Sequence, residues 1–262
     1  MSSPTNHLAA KSPGSIQSPA IRELLEAFRL NHTARAWEEI AQKASQENLS
    51  YHDFLMRILS EEVSLRHSKT VERLIREARF PTLKTIDSFD WAHPEKIDKQ
   101  IVLKALEMDF SSNQENLIFV GPSGLGKSHL AIAVGYAACQ REIKTLFTTA
   151  ADMINCLVAA HADHSLEKAL KKYCHPRLLV LDELGYLPMD KEGRDLFFQV
   201  ISKRYETGSI VLTTNRAFKD WPEIFGDTTA TAAIVDRLTH HAQLIRIAGR
   251  SYRAEKRRKA GE

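Results

Sequence analysis

Apolar residues in the first third of the chain recur at helical spacing. Leu24, Leu25 and Phe28 fall in one segment, Trp37 and Ile40 in the next, and Phe54, Leu55, Ile58 and Leu59 in a third, so residues 20–80 are predicted to form a small all-helical domain. Ser50, three residues before Asp53, predicts an N-terminal cap for the third helix. Residues 1–19 are rich in Ser and Pro, show no apolar period, and are expected to be a disordered lead-in that cannot repay the entropy of ordering. The stretch "RFPTLKTIDSFDWAHPEK" loses periodicity around Pro81 and Pro94, and each proline turns its predecessor away from helix. A domain boundary near Phe80 follows. Beyond it, short β-rich runs ("NLIFV", "KTLFTT", "RLLVLD", "SIVLTT", "QLIRI") alternate with helical stretches such as "DLFFQVISKRYE". That alternation predicts an α/β domain over 81–250, with a parallel five-stranded sheet covered by helices on both faces. Residues 251–262 remain as a basic tail.

Composition narrows the class only slightly. With 262 residues, 43% hydrophobic and 26% charged, the chain can bury a substantial core, and 36 Lys and Arg against 33 Asp and Glu leave a formal charge of +3 that names no partner. Cys139, Cys156 and Cys174 stand far apart with no C-x-x-C pair, which argues against a disulfide framework or a zinc site and for a reducing compartment. The start lacks an apolar run of signal-peptide length and no run of about 18 apolar residues occurs anywhere. The expectation is a soluble cytoplasmic protein with no membrane partner.

"GPSGLGKS", from Gly121 to Ser128, matches G-x-x-x-x-G-K-[ST] with a predicted strand before it and a helix after it. Gly121, Gly124 and Gly126 let the backbone curl so that successive N–H groups converge, and the following helix turns the positive end of its dipole to the same place. The turn is built for a polyphosphate. Gly121, Pro122, Ser123, Gly124, Leu125, Gly126, Lys127, Ser128 and His129 are the candidate nucleotide-binding residues, Lys127 reaching the β/γ-phosphates and Ser128 offering a hydroxyl to Mg²⁺.

Leu178 to Leu181 form a buried strand whose carboxyl end delivers Asp182 and Glu183, the end at which open α/β sheets carry chemistry. Asp182 suits Mg²⁺, held through water, and Glu183 suits the orientation and deprotonation of a water attacking the γ-phosphoryl group. The next strand ends in Thr213, Thr214 and Asn215, and Asn215 is placed to hydrogen-bond the γ-phosphate or that water. ATP and Mg²⁺ are the cofactors these residues call for.

A P-loop, an Asp-Glu strand end and a polar strand end in this order resemble the AAA+ ATPases. The phrases "RFPTLKTIDSFD", "FVGPSGLGKSHLA", "LLVLDELGYLP", "GSIVLTTNRAF" and "DRLTHHA" resemble the IstB family, ATP-binding transposition helpers of insertion sequences related to the DnaC helicase loaders and DnaA initiators. The likeness runs over about residues 20–253. It implies that an arginine of one subunit completes the ATP site of its neighbour, at the position of Arg237 here, where residues alone would read as an ordinary helix charge. It also implies the absence of a full C-terminal helical lid, in line with the 47 residues that follow Asn215 (262 minus 215). A neighbouring subunit or the N-terminal module is then expected to complete the pocket, with Arg253 as a possible substitute for a lid arginine.

The resemblance implies duplex DNA as partner, which gives the basic surfaces meaning. Arg66, Lys69, Arg73 and Arg76 recur along one helix face, with Val63, Val71, Leu74, Ile75 and Ala78 expected on the buried side. Lys168, Lys171 and Lys172 lie on an extra helix between the two ATP motifs, and "RIAGRSYRAEKRRKAGE" carries seven basic residues against two acidic ones. The histidines of "HADH" and "THHA" have no third ligand near them in sequence and read as ordinary side chains. The functional expectation is a transposition helper that oligomerises on duplex DNA with ATP, its sites lying between subunits, recruits and stimulates a cognate transposase, and disassembles on hydrolysis. The alternatives are a DnaC-like helicase loader and a small-molecule kinase.

Overall fold

The computed structural model describes residues 18–186 and 188–252. The predicted lead-in, apart from its last two residues, and the tail beyond Tyr252, Arg253 included, lie outside the described residues. Contacts divide the chain into two compact units that meet between Thr70 and Val71.

The first unit is helical. α1 (Ser18–Ala27) and α2 (Thr33–Gln46) are followed by α3 (Tyr51–Ala78), a 28-residue helix whose last turns belong to the second unit. Ser50 caps α3: its hydroxyl accepts from the Asp53 amide at 3.2 Å and meets the Asp53 carboxylate at 2.6 Å, as the sequence predicts. The start of α2 is capped from a distance instead. Glu62, buried on α3, accepts from the His32 amide at 3.0 Å, the Thr33 amide at 2.9 Å and the Thr33 hydroxyl at 3.0 Å, while Arg66 pairs with its other oxygen at 3.0 Å. Its core is small, with Ala34, Ile40 and Ala44 fully covered. Leu24, Phe28, Leu55, Leu59 and Val63 stand in a wholly different state, exposed by 41% to 74%. Val63 therefore does not belong to the buried side of α3, on which Glu62, Leu74 and Ala78 lie; the apolar period runs through positions that solvent reaches.

In the second unit, α4 (Lys99–Ala105) and α5 (Asp109–Ser112) precede β1 (Asn116–Val120) and α6 (Lys127–Gln140). β2 (Thr145–Thr149), α7 (Ala150–Ala162), α8 (Leu166–Cys174), β3 (Leu178–Leu184), α9 (Lys191–Arg204) and β4 (Ser209–Thr214) follow, then α10 (Pro222–Phe225), α11 (Thr228–Thr239) and β5 (Ala242–Arg246). All five strands are parallel, in the order β2-β3-β4-β1-β5. Period-two alternation splits each apolar run between two cores. Leu117, Phe119, Leu178, Val180, Val211 and Ile245 pack with α6, while Ile118, Leu179, Leu181, Ile210 and Leu212 pack with α7, α8, α9 and α11. A P-loop AAA+ sheet with helices on both faces is the result, and among the described residues no helix is long and apolar enough to cross a membrane. The three cysteines are free thiols.

Arg204, the last residue of α9, is buried and pairs with no carboxylate among the described residues. Its guanidinium donates to the carbonyls of Tyr173 (2.9 Å), Pro176 (2.8 Å), Arg177 (3.1 Å) and Ser209 (2.6 Å), binding the C-terminal end of α8 to the first residues of β3 and β4. Burial lowers its pKa to about 10, which leaves it charged at neutral pH, where a cation suits the negative end of α8.

Two outcomes check these contacts. Arg204→Met, close in volume but with no donors, is expected to cost at least ~2 kcal/mol of stability by orphaning buried carbonyls, measured by denaturant unfolding of the second unit's tryptophan fluorescence. For Glu62, burial opposes ionisation, but the bonds from Thr33 and Arg66 outweigh it, so the carboxyl titrates below its ordinary 4.5. Its stabilisation is full above that ordinary value and is lost as pH falls through the lower folded one. Glu62→Gln should cost about 1–3 kcal/mol near neutrality and flatten the acid limb of thermal unfolding followed by circular dichroism. An unchanged acid limb would assign that loss to other carboxylates.

Candidate nucleotide site

β1 ends at Val120 and the chain turns through Gly121–Gly126 into α6, so the loop sits off the carboxyl end of a central strand. Two glycines there are obligatory. Gly126 caps α6 with φ +83°, and an added Cβ would lie 2.6 Å from the Phe89 ring. At Gly121 an added Cβ would lie 2.1 Å from the Ile247 carbonyl oxygen, where the chain leaving β5 crosses the loop. The loop is also tied from outside: the Gly121 amide donates to Thr214 O at 3.2 Å and the Tyr252 amide to Gly124 O at 3.0 Å. Lys127 is buried, and its ammonium donates to the Pro122 carbonyl at 2.7 Å.

The acids meet this loop from β3. Asp182 is 5% exposed and its Oδ1 accepts from the Ser128 hydroxyl at 3.0 Å and from the Thr213 hydroxyl. Thr213 in turn accepts from the Glu183 amide at 3.0 Å. A continuous path of hydrogen bonds thus joins the first turn of α6, the end of β3 and the end of β4. β3 runs two residues beyond Asp182, further than the apolar run alone implies, and its register against β4 shifts between Leu181 and Leu184. Within that irregularity Glu183 adopts φ +61°, a left-handed conformation that costs a non-glycine residue about 1 kcal/mol, and its side chain is exposed.

Ser123–His129, Asp182, Glu183, Thr213, Thr214 and Asn215 line one cavity of about 850 Å³. Its far wall comes from parts of the chain to which sequence reading assigned no role: Phe89, His93 and Pro94 before the sheet, and Tyr252 after it. Those two segments are joined by an antiparallel bridge between Lys96 and Ala248, and the His93 ring meets the Arg250 carbonyl at 2.8 Å and the Tyr252 ring edge-on at 4.9 Å. The chain's own segments before and after the sheet thus supply this wall. His129 lines the cavity while its ring nitrogen contacts Thr85 O at 2.9 Å and its ring abuts Phe89.

The other predicted residues stand elsewhere. Arg237 shares a small cleft with Asn116 and Ile210 at the opposite, amino-terminal ends of the strands, its guanidinium 4.7 Å from the Phe198 ring centre and donating to Ala233 O at 3.1 Å. On α3, Arg66 and Arg73 are paired with Glu62 and Glu77, each at 3.0 Å, whereas Lys69 and Arg76 are exposed; the four do not form a uniform cationic stripe. On α8, Lys168 is exposed, Lys171 pairs with Glu167 at 2.7 Å, and Lys172 bonds the Tyr173 hydroxyl at 3.1 Å. Thr213 is a further residue that sequence reading left without a role. Its signal was a hydroxyl near the end of a buried apolar strand, which needs a partner.

Known proteins bear the same pattern. The family described as IstB-like ATP binding protein matches residues 23–260. A Geobacillus stearothermophilus protein named for ATP binding and for insertion sequence IS5376 is 39% identical over 238 residues, covering 91% of this chain and 95% of its own length. A Pseudomonas aeruginosa protein named likewise for IS21 is 39% identical, with 91% and 90% covered. Among solved structures, a DnaC helicase loader superposes with a TM-score of 0.50 at 25% identity, over 62% of this chain and 96% of that one. With a family match over residues 23–260 and relatives 39% identical over 91% of its length, the chain belongs to the IstB-like ATP-binding protein family.

Proposed function

We propose that the chain is an ATP-hydrolysing transposition helper of an insertion sequence. It binds ATP and Mg²⁺ in the cavity off β1 and β3, oligomerises on duplex DNA, recruits and stimulates the cognate transposase, and disassembles when the nucleotide is hydrolysed. The observation that carries this reading is the bond between Ser128 and Asp182, which puts a P-loop hydroxyl and a strand-end carboxylate 3.0 Å apart with Glu183 and Asn215 lining the same cavity. Both are hard oxygen donors of the kind Mg²⁺ takes while keeping waters and phosphate oxygens, so the residues present fit that ion. Bound there, Mg²⁺ would neutralise charge on the phosphates.

The protein's own groups supply the rest. The loop amides and the start of α6 hold the phosphates, and Lys127 exchanges the Pro122 carbonyl for them. Phe89, His93 and Tyr252 offer aromatic surface to the base. Glu183, directed outward by its backbone, accepts the proton of the attacking water, and Asn215 orients it. Arg237 serves the cavity of another copy, a role consistent with its distance from its own. Exposed Lys69, Arg76 and Lys168 are the cations best placed to contact phosphates without reading sequence, with affinity falling as salt rises. The uncovered Leu24 and Phe28 at α1, and Leu55 and Leu59 on α3, support a protein partner for the first unit.

The decisive experiment places the purified chain on duplex DNA with ATP, with ADP, and as Glu183→Gln, and measures particle mass and ATP turnover. ATP should give DNA-bound oligomers, ADP should not, and Glu183→Gln should hold them without turnover; unchanged turnover in that variant removes Glu183 from the role given to it. Arg237→Ala should keep nucleotide affinity but lose about 10³-fold in turnover. Mixing Arg237→Ala with Glu183→Gln should restore part of the activity, because an intact Glu183 then faces an intact Arg237. Absence of rescue removes Arg237 from the role given to it in another copy's site.

A further inference from the structure

Two chain junctions meet at the amino-terminal end of the sheet, away from the nucleotide cavity. α9 passes through Tyr205, Glu206 and Gly208 into β4, and α11 passes through His240 and His241 into β5. Asn116, first residue of β1, fixes both: its amide donates to His241 O at 2.7 Å, its side-chain nitrogen to Leu238 O at 3.0 Å, and its side-chain oxygen accepts from the Ile210 amide at 2.9 Å. The consequence is a cluster that sequence spacing could not reveal. One ligand atom from each of Glu206, His240 and His241 lies within 4.8 Å of the others, His241 Nε2 stands 3.7 Å from Glu206 Oε1, and the two imidazole centres are 4.1 Å apart.

We propose that Glu206, His240 and His241 bind a divalent transition ion of the zinc type. Two imidazoles and one carboxylate are a ligand set that zinc takes at about 2.0–2.2 Å, with a fourth position open to water. Imidazole donors favour such an ion over Mg²⁺ or Ca²⁺, which take oxygen. In a tetrahedron of those bonds the ligand atoms stand about 3.4 Å apart, so the exposed side chains have to close by roughly 1.4 Å at most, within reach of rotamer adjustment. A further contact points the same way. The Nδ1 atom of His240 lies 2.6 Å from the Tyr205 hydroxyl. With the metal on Nε2, Nδ1 carries the proton and donates it to the Tyr205 oxygen, the outer bond that orients a ligating histidine. The bound ion would tie the α9–β4 junction to the start of β5, next to Arg237, which lines the same small cleft as Glu206 and His241. The site is independent of the nucleotide chemistry proposed above.

The test titrates Zn²⁺ into the untagged, chelator-stripped, nucleotide-free full chain by competition with a fluorescent zinc indicator. One site per chain is expected. His240→Ala, His241→Ala and Glu206→Gln should each weaken it at least ~10-fold, Tyr205→Phe should weaken it less without changing stoichiometry, and one equivalent of zinc should raise the unfolding temperature of the parent and of Tyr205→Phe by more than that of the three ligand variants. Equal affinity in the parent and the two histidine variants would assign the zinc to other groups and overturn the proposal. Should a variant fail to fold, the parent decides alone: the ring resonances of His240 and His241 must shift together at one equivalent of Zn²⁺, and unshifted rings overturn it.

Discussion

A buried carboxylate governs the second unit. Asp182 sits 5% exposed at the end of a parallel strand, where an ionised group is costly unless donors reach it. Ser128 and Thr213 are those donors, one from the first turn of α6 and one from β4, so satisfying Asp182 fixes the P-loop helix against two strands at once. The same acceptance sets Glu183: Thr213 spends its proton on Asp182 and accepts from the Glu183 amide, holding that residue in a left-handed turn with its side chain outward. A structural requirement and a proposed catalytic geometry share one network. Disturbing either end should be felt at the other, since neighbouring members of a hydrogen-bond network are not energetically independent.

The sheet was legible because both of its faces are buried. Runs such as "LLVL" and "SIVL" carry apolar side chains to two cores at once, and no other arrangement covers them. The P-loop was legible for a different reason: its residues keep a fixed spacing between a strand and a helix, and Gly124 and Gly126 adopt φ +83°, a left-handed backbone that glycine takes without strain. Local patterns of this kind survive translation from sequence to structure. Val63 shows where they stop, since an apolar period fixes a face of a helix and not whether anything covers it.

What sequence could not supply is whatever depends on residues far apart in the chain. Phe89, His93 and Tyr252 become one wall only because Lys96 pairs with Ala248 across the chain ends of the domain. Glu62 looks like one more acid in a charged helix until α2 delivers two amides and a hydroxyl to it. Glu206 joins the histidine pair through Asn116, which holds the starts of three strands in register. Each of these depends on topology before chemistry.

The two ends of the sheet then divide the proposed work. Parallel strands put every carboxyl end on one side, which gathers Gly121–Ser128, Asp182, Glu183 and Asn215, and every amino end on the other, where Arg237 lies. An arginine on α11 cannot reach a cavity off the opposite ends of strands it helps to cover, because β5 alone is five residues long, roughly 16 Å at a strand's rise per residue. If Arg237 acts on a phosphate at all, that phosphate belongs to another molecule. Under the proposed role of Arg237, copies would stand head to tail, each carboxyl-end cavity against the amino-end face of the next, and heterologous contacts of that kind would propagate into rings or filaments rather than close as a two-fold dimer.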